Sequence, residues 1–234
     1  MSISYRILIT GCNRGIGLEL VKHAVRKRWR VHACVRTPDI SSSLHDVVRM
    51  SGGLISLHIV DVGDPAQIQA LAYELRQSHL DILINNAGVY GADGQDFGHT
   101  DVNDWLHTLR INCIGPMKMA EALQPHLLQG QRKLILNISS RMGSMDDNRS
   151  GGNYIYRSSK AALNAITKSM AIDLAPQGFC CISLHPGWAL TEMGGPDAEI
   201  SAATSAQRIL AMIDRLRPEH NGGFFETDGS HIAW

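Results

Sequence analysis

"RILITGCNRGIGLELVKHAV", residues 6–25, runs a short apolar, β-branched stretch straight into glycines at 11, 15 and 17, and from there into an amphipathic segment. Glycine permits a tight turn and lets backbone N–H groups approach an anion at the positive end of a helix. A strand, a glycine turn and a helix in that order therefore follow the logic of a dinucleotide site. The spacing is GxxxGxG rather than the commoner GxGxxG, so taken alone it also fits an ordinary strand-to-helix turn.

Working outward, six further runs have the same strand-like character: "VHACV" (31–35), "LISLHIV" (54–60), "DILIN" (81–85), "KLILNIS" (133–139), "CISLH" (181–185) and "GGFFET" (222–227). Helical patterns separate most of them, and the runs are apolar on both faces. Such alternation predicts parallel strands joined by right-handed helical crossovers, with helices covering both faces of the sheet. The expected fold is a single doubly wound, Rossmann-type α/β domain over 1–234 with a mostly seven-stranded parallel sheet. Long loops follow three of the runs, at 88–100, 141–153 and 187–200, and in an open parallel sheet the ligand crevice lies beyond the carboxyl ends of the strands.

Composition narrows the function classes. Hydrophobic residues are 44% and charged residues 19% of the chain, a balance that buries a core and argues against disorder. The 22 basic and 22 acidic residues cancel, which removes the usual electrostatic warrant for nucleic-acid or membrane-surface binding. The basic cluster "VKHAVRKRWR" (21–30) interleaves its charges with apolar residues at helical spacing and reads as a solvated helix face. Five cysteines without paired spacing, and no signal peptide before the first strand, fit a cytoplasmic protein. The 11 histidines have no HExxH or CxxC companion, so no metal is expected. No apolar run reaches the roughly 18–20 residues of a spanning helix.

The stretch "GGNYIYRSSKAALNAITKSM" (151–170) holds two tyrosines ahead of a lysine. If 154–175 is a helix, Tyr156 and Lys160 share one face four residues apart, while Tyr154 has Ser158 at that offset. A free phenol ionises near about 10 and is a poor proton carrier at neutral pH unless its anion is stabilised, so only the tyrosine with a cation beside it is suited to acid–base work. An aromatic and a lysine at that spacing also occur on ordinary helices. The strand end "LNISS" (136–140) supplies two hydroxyls, and a carbonyl becoming an alkoxide needs such an uncharged donor.

The GxxxGxG turn, "NNAG" at 85–88 and Tyr156-Arg157-Ser158-Ser159-Lys160, in this order, resemble the short-chain dehydrogenase/reductase family over essentially the whole chain. The resemblance implies a catalytic set of Asn112, Ser140, Tyr156 and Lys160, the lysine also holding the nicotinamide ribose. The interval from Ser140 to Tyr156 is longer than the family's usual one, which leaves Ser139 in contention. It further implies cofactor contacts at Gly11, Asn13, Arg14, Gly15, Ile16 and Gly17, at Asp61 and Val62 near the adenine, and at Asn86, Ala87 and Gly88. In "HPGWALTEMGG" (185–195) it implies Pro186, Gly187 and Trp188 beside the nicotinamide and Thr191 on its carboxamide. The last third, including "DGSHIAW" (228–234), is similar to the sniffer and C-factor branch of carbonyl reductases. Family members often pair through the helices that here fall near 103–128 and 154–175, so a homodimer or homotetramer is one expectation and a monomer another.

Cofactor choice follows from charge. NAD enzymes commonly place an acid after the second strand to bind the ribose 2′-hydroxyl, and that acid repels a 2′-phosphate. Here the place reads "VHACVRTP" (31–38), with Arg36 and no acid, and Arg14 stands inside the glycine motif. Two arginines suited to charge-assisted bonds with phosphate predict NADP(H). The expected reaction is hydride transfer between nicotinamide and a small-molecule ketone or aldehyde or its alcohol, in an NADP-binding N-terminal half and a catalytic C-terminal half. Trp188, Met193, Tyr90 and Tyr154 are candidate walls for the substrate. An NADP(H) sensor or signalling protein with little turnover is the alternative.

Overall fold

In the computed structural model, residues 4–37 and 42–234 are described. The chain alternates strand and helix through β1 (Arg6–Thr10), α1 (Gly15–Arg26), β2 (Arg30–Val35), α2 (Ser42–Met50), β3 (Ile55–Ile59), α3 (Pro65–Glu74) and β4 (Ile82–Asn85). It continues with α4 (Val102–Leu109), a π-helical turn (Arg110–Ile114), α5 (Gly115–Leu128), β5 (Leu134–Ile138), α6 (Tyr154–Leu174) and β6 (Cys180–Leu184). A two-residue pair, β7 (Ala189–Leu190) and β8 (Ile200–Ser201), precedes α7 (Ala202–Arg215) and β9 (Phe224–Phe225).

The seven-stranded sheet has the order β3-β2-β1-β4-β5-β6-β9, and its strand pairs are all parallel. Strand order reverses between β1 and β4, the switch point at which a doubly wound sheet opens its crevice. The two-residue period of a strand then sorts the apolar runs. Ile7, Ile9, Ile82, Ile84, Leu134, Leu136, Ile182 and Leu184 pack on one face with Leu20 and Val21 of α1 and Ile209 and Ile213 of α7. Leu8, Leu83, Ile135 and Cys181 pack on the other with Leu71 of α3, Met119 and Leu123 of α5 and Met170 of α6. Each fully buried aliphatic side chain contributes about 1.5–3 kcal/mol, so two filled faces rather than helix propensity hold the layers together.

The strand boundaries match the sequence expectation within a residue or so except at the C-terminus, where 222–227 shrinks to Phe224–Phe225. Gly222 lies at φ +74° and the Glu226 N–H turns back to the Ser230 carbonyl, so the ladder to β6 stops after two residues. A buried polar row crosses the sheet centre: Asn85 donates to Asn137 at 2.8 Å, and Asn137 to Thr167 at 2.8 Å. These amides tie β4, β5 and α6 in a fixed register beneath the crevice. No helix among the described residues is long and apolar enough to cross a membrane, and none of their His, Cys, Asp or Glu groups is arranged to hold a metal ion. All five cysteines are free thiols.

Candidate active site

The glycine turn between β1 and α1 is shaped so that no side chain fits. Gly11 is left-handed at φ +71°, and a Cβ on Gly17 would stand 2.0 Å from the Gly11 carbonyl oxygen. Helix α1 begins at Gly15, and its N-cap Arg14 makes no side-chain cap bond to the first-turn N–H groups. Thr10 adds a second layer. Its hydroxyl accepts from the N–H of Asn86 (3.0 Å) and Ala87 (2.9 Å), while the Asn86 amide donates to the Thr10 carbonyl at 2.9 Å. The turn after β1 and the turn after β4 are thereby one rigid unit across the switch point.

Above that unit opens a cleft of about 600 Å³. It is lined by Gly11, Asn13, Arg14, Gly15, Ile16, Gly17, Arg36, Asp61, Val62, Asn86, Ala87, Gly88, Tyr156, Lys160, Pro186 and Thr191, all expected from sequence. Its size and its side-chain-free cradle at a helix N-terminus fit a dinucleotide. Gly187 and Trp188 do not line it. Gly187 lies at φ +81° with its Cβ position against Ile200, and the Trp188 indole N–H is turned to the Gly194 carbonyl at 2.7 Å, leaving the side chain half exposed. The parallel pair β7–β8 folds this loop back on itself, and that long-range pairing has no signature in the local sequence. Pro38, the last residue of the stretch after β2, lies outside the described residues.

Residues not anticipated as cofactor contacts also line the cleft, among them Thr37, Ile138, Ser139, Leu190 and Glu192. Glu192 forms an ion pair with Arg14 across the cleft mouth, both side chains being exposed. Arg36 lines the cleft as an exposed cation at the end of β2. Asp61 spends one carboxylate oxygen on the Gly63 N–H at 2.8 Å, which shapes the turn after β3.

Tyr156 and Lys160 lie on the buried face of α6, with the Ser140 side chain near enough to the Tyr156 phenol to lower its pKa. Ser139 stands beside it but gives its hydroxyl to Asn164 at 2.6 Å in the interior. A 3-10 turn at Arg141–Gly143 starts the long stretch between Ser140 and Tyr156, and Gly143 lets that turn press against the α6 backbone at Lys160. The Lys160 ammonium donates to the Ile138 carbonyl at 2.8 Å and lies 5.7 Å from the centre of the Tyr156 ring. Tyr154, by contrast, is exposed and packs on Phe97.

Burial governs both titrations. Desolvation pushes the Tyr156 phenol up to about 12, outweighing the lowering effect of the Ser140 side chain, with Tyr90 a lesser upward influence. Desolvation brings the Lys160 ammonium down to about 8. The stabilisation expected for the phenolate calls on the Lys160 ammonium together with an oxidised nicotinamide ring; in the protein alone burial is the largest influence on the phenol.

Asn112, within the π-turn, accepts from Val89 N–H at 2.8 Å and donates to the Val89 carbonyl at 2.7 Å and to Ser159 at 3.0 Å. The extra residue of the π-turn sits where α4 passes into α5, and Gly115 lets α5 approach the Val62 carbonyl. Gly88 faces both Asn112 Oδ1 and Lys160 Nζ, its Cβ position being 3.2 and 3.7 Å from them. Asn112 thus stands behind the cleft wall and fastens the loop after β4.

A switch-point cleft with a glycine cradle at one end and the buried Tyr156 and Lys160 at the other fits a dinucleotide-type oxidoreductase. The sequence profile described as short chain dehydrogenase matches residues 5–200, and the chain belongs to that family. It is 44% identical to the C-signal protein of Myxococcus xanthus over 167 residues, which are 71% of this chain and all of that protein. Its fold superposes on the carbonyl reductase Sniffer of D. melanogaster with TM-score 0.92 at 34% identity, covering 99% of this chain and 100% of the other. The NADPH-bound carbonyl reductase from chicken fatty liver superposes with TM-score 0.90 at 30% identity, covering 99% of each.

Proposed function

We propose that this protein is an NADPH-dependent carbonyl reductase, reversibly reducing a small ketone or aldehyde. The observation that carries the reading is that Tyr156 and Lys160 line a cleft whose other end is a glycine cradle, with the Ser140 side chain beside the Tyr156 phenol. When bound, the cofactor supplies the hydride, and in its oxidised form a positive charge beside the phenol. Ser140 and Tyr156 hydrogen-bond the substrate oxygen, and Tyr156 donates the proton that completes the alcohol. A phenol held up at about 12 is protonated at neutral pH, which suits donation in the reductive direction. Lys160 orients the ribose, and Asn112 and Lys160, both facing Gly88, are placed to share the water that returns a proton to the phenol.

We assign Gly11, Asn13 to Gly17, Arg36, Asp61, Val62 and 86–88, all lining the cleft, to the cofactor, and Tyr156 and Lys160 to the reaction. Arg36 and Arg14 are the groups for a 2′-phosphate, in keeping with the NADPH-bound chicken reductase. The test is consumption of NADPH, with NADH in parallel, against aldehydes, quinones, diketones and ketosteroids. Wild type should turn over with NADPH, and Tyr156→Phe should lose about 1,000-fold in kcat while still binding NADPH. A Tyr156→Phe variant that keeps most of its turnover would defeat the assignment.

A second reading rests on the 44% identity to C-signal: an NADP(H)-binding signalling protein with little turnover. Tight NADPH binding with no turnover across the panel would favour it. The Ser140, Tyr156 and Lys160 arrangement supports the enzyme, since a sensor needs only the cofactor residues.

A further inference from the structure

The first turn of α6 is not capped by its neighbour in sequence. Asn153 precedes it in the left-handed region, at φ 50° and ψ 40°, with no side-chain cap bond. Its Oδ1 accepts from the Tyr90 hydroxyl at 2.8 Å instead. The first N–H groups of a helix have no partners within it and need others when buried. One residue far away in sequence takes two of them. The Gln95 backbone carbonyl accepts from Tyr154 N–H at 3.1 Å, and its side-chain Oε1 accepts from Tyr156 N–H at 2.9 Å.

The other half of the same side chain faces the loop. Gln95 Nε2 donates to the carbonyls of Tyr90 at 2.9 Å and Ala92 at 3.0 Å, and the residue is 5% exposed. The loop so held carries the Tyr90 ring onto the Tyr156 ring, with centroids 4.5 Å apart and planes 30° apart. One buried amide therefore grips the backbone of Tyr156 on one side and the residue that covers its ring on the other. A glutamine that merely closed a loop would not need to bond this helix at this residue.

We propose that Gln95 is a positioning residue for proton transfer at Tyr156, acting as a remote cap of α6 that also fixes Tyr90 over the phenol; this rests on the reductase reading above. The titratable groups facing Tyr156 are Lys160 from its own helix and Tyr90 from the loop, and the Ser140 side chain, just beyond β5, lowers the phenol's pKa. Loosening the loop opens the ring to water, relieves the burial that holds the phenol's pKa up, and moves the phenol away from the hydride path. None of this alters the glycine cradle.

The test compares wild type, Gln95→Met and Gln95→Glu. Gln95→Met keeps the bulk and removes all three side-chain bonds; kcat for reduction should fall about tenfold or more while NADPH Kd stays within about twofold. The alkaline limb of its kcat/KM profile should move to lower pH, because a phenol exposed to water loses its proton sooner. Gln95→Glu still accepts from Tyr156 N–H but cannot donate to the loop, so it should fall between the two, and it carries the test if Gln95→Met does not fold. A kcat within about threefold of wild type with an unmoved pH limb overturns the proposal, as do parallel losses of kcat, NADPH affinity and Tm, the mark of a purely structural residue. Hydrogen exchange at the Tyr156 amide separates the two layers of argument, because it needs no turnover. If wild type reduces nothing on the panel, the reductase reading fails, and exchange at least about tenfold faster in Gln95→Met still establishes the cap, whereas unchanged exchange removes it.

Discussion

The two ends of the cleft are built in opposite ways. The glycine turn at 10–17 is a backbone surface, set by what is missing at Gly11, Gly15 and Gly17 and braced by Thr10 and Asn86. The start of α6 is a side-chain assembly, in which Tyr156 is surrounded by Ser140 from the turn after β5, Gln95 and Tyr90 from the loop after β4, and Lys160 from its own helix. Binding an anion needs only N–H groups pointing the same way, which a short local turn supplies. Moving a proton needs a group of tuned pKa at a fixed point, and tuning requires burial by several elements at once.

The contrast predicts that the cradle fails abruptly. In Gly17→Ala the new Cβ meets backbone at 2.0 Å, so the turn must move. NADPH affinity, measured by titration calorimetry, should fall at least about 100-fold, a loss of roughly 3 kcal/mol. Retained affinity would mean the turn is softer than its geometry implies.

The Tyr156–Lys160 end should instead announce itself in stability. A lysine brought down to about 8 holds fewer protons in the folded chain than in the unfolded one between that value and the ordinary lysine range. Stability therefore rises with pH across that window and is lower once the buried amine is charged below about 8. Urea unfolding of wild type against Lys160→Met from pH 7.5 to 10 should show the difference moving in favour of wild type by on the order of 2 kcal/mol. Tyr156, held above its usual value, works oppositely at higher pH, where the unfolded chain loses its phenolic proton first. A flat difference would show that the buried ammonium is fully compensated.

At the cleft mouth the effects should shrink. Arg36→Ala removes an exposed cation from the end of β2 and should cut the NADPH over NADH preference in kcat/KM about tenfold, close to one charge-assisted bond. Glu192→Gln releases Arg14 from an exposed ion pair and should change NADPH affinity no more than about threefold, because such pairs contribute about 0–1 kcal/mol. A larger change would make the Arg14–Glu192 pair a latch over the cofactor rather than a surface contact.

Much of this molecule is legible in the chain itself. The order of strands and helices follows from alternating apolar runs, because two covered faces demand apolar residues on both sides of each strand. The glycine cradle follows from spacing, because a helix N-terminus approached by an anion tolerates no Cβ. That Tyr156 rather than Tyr154 shares the buried face with Lys160 follows from the four-residue interval, since helical geometry alone puts them on one face. Tertiary structure decided what depends on distant partners. It turned Trp188 away from the cleft through the β7–β8 pairing and separated Ser140 from Ser139 by giving the latter to Asn164. It also set the phenol near 12 by burial and placed Gln95, an unremarked residue in a loop, on the amide of Tyr156. A local pattern records which groups a segment can offer; the fold alone settles which of them meet, and how little water reaches them there.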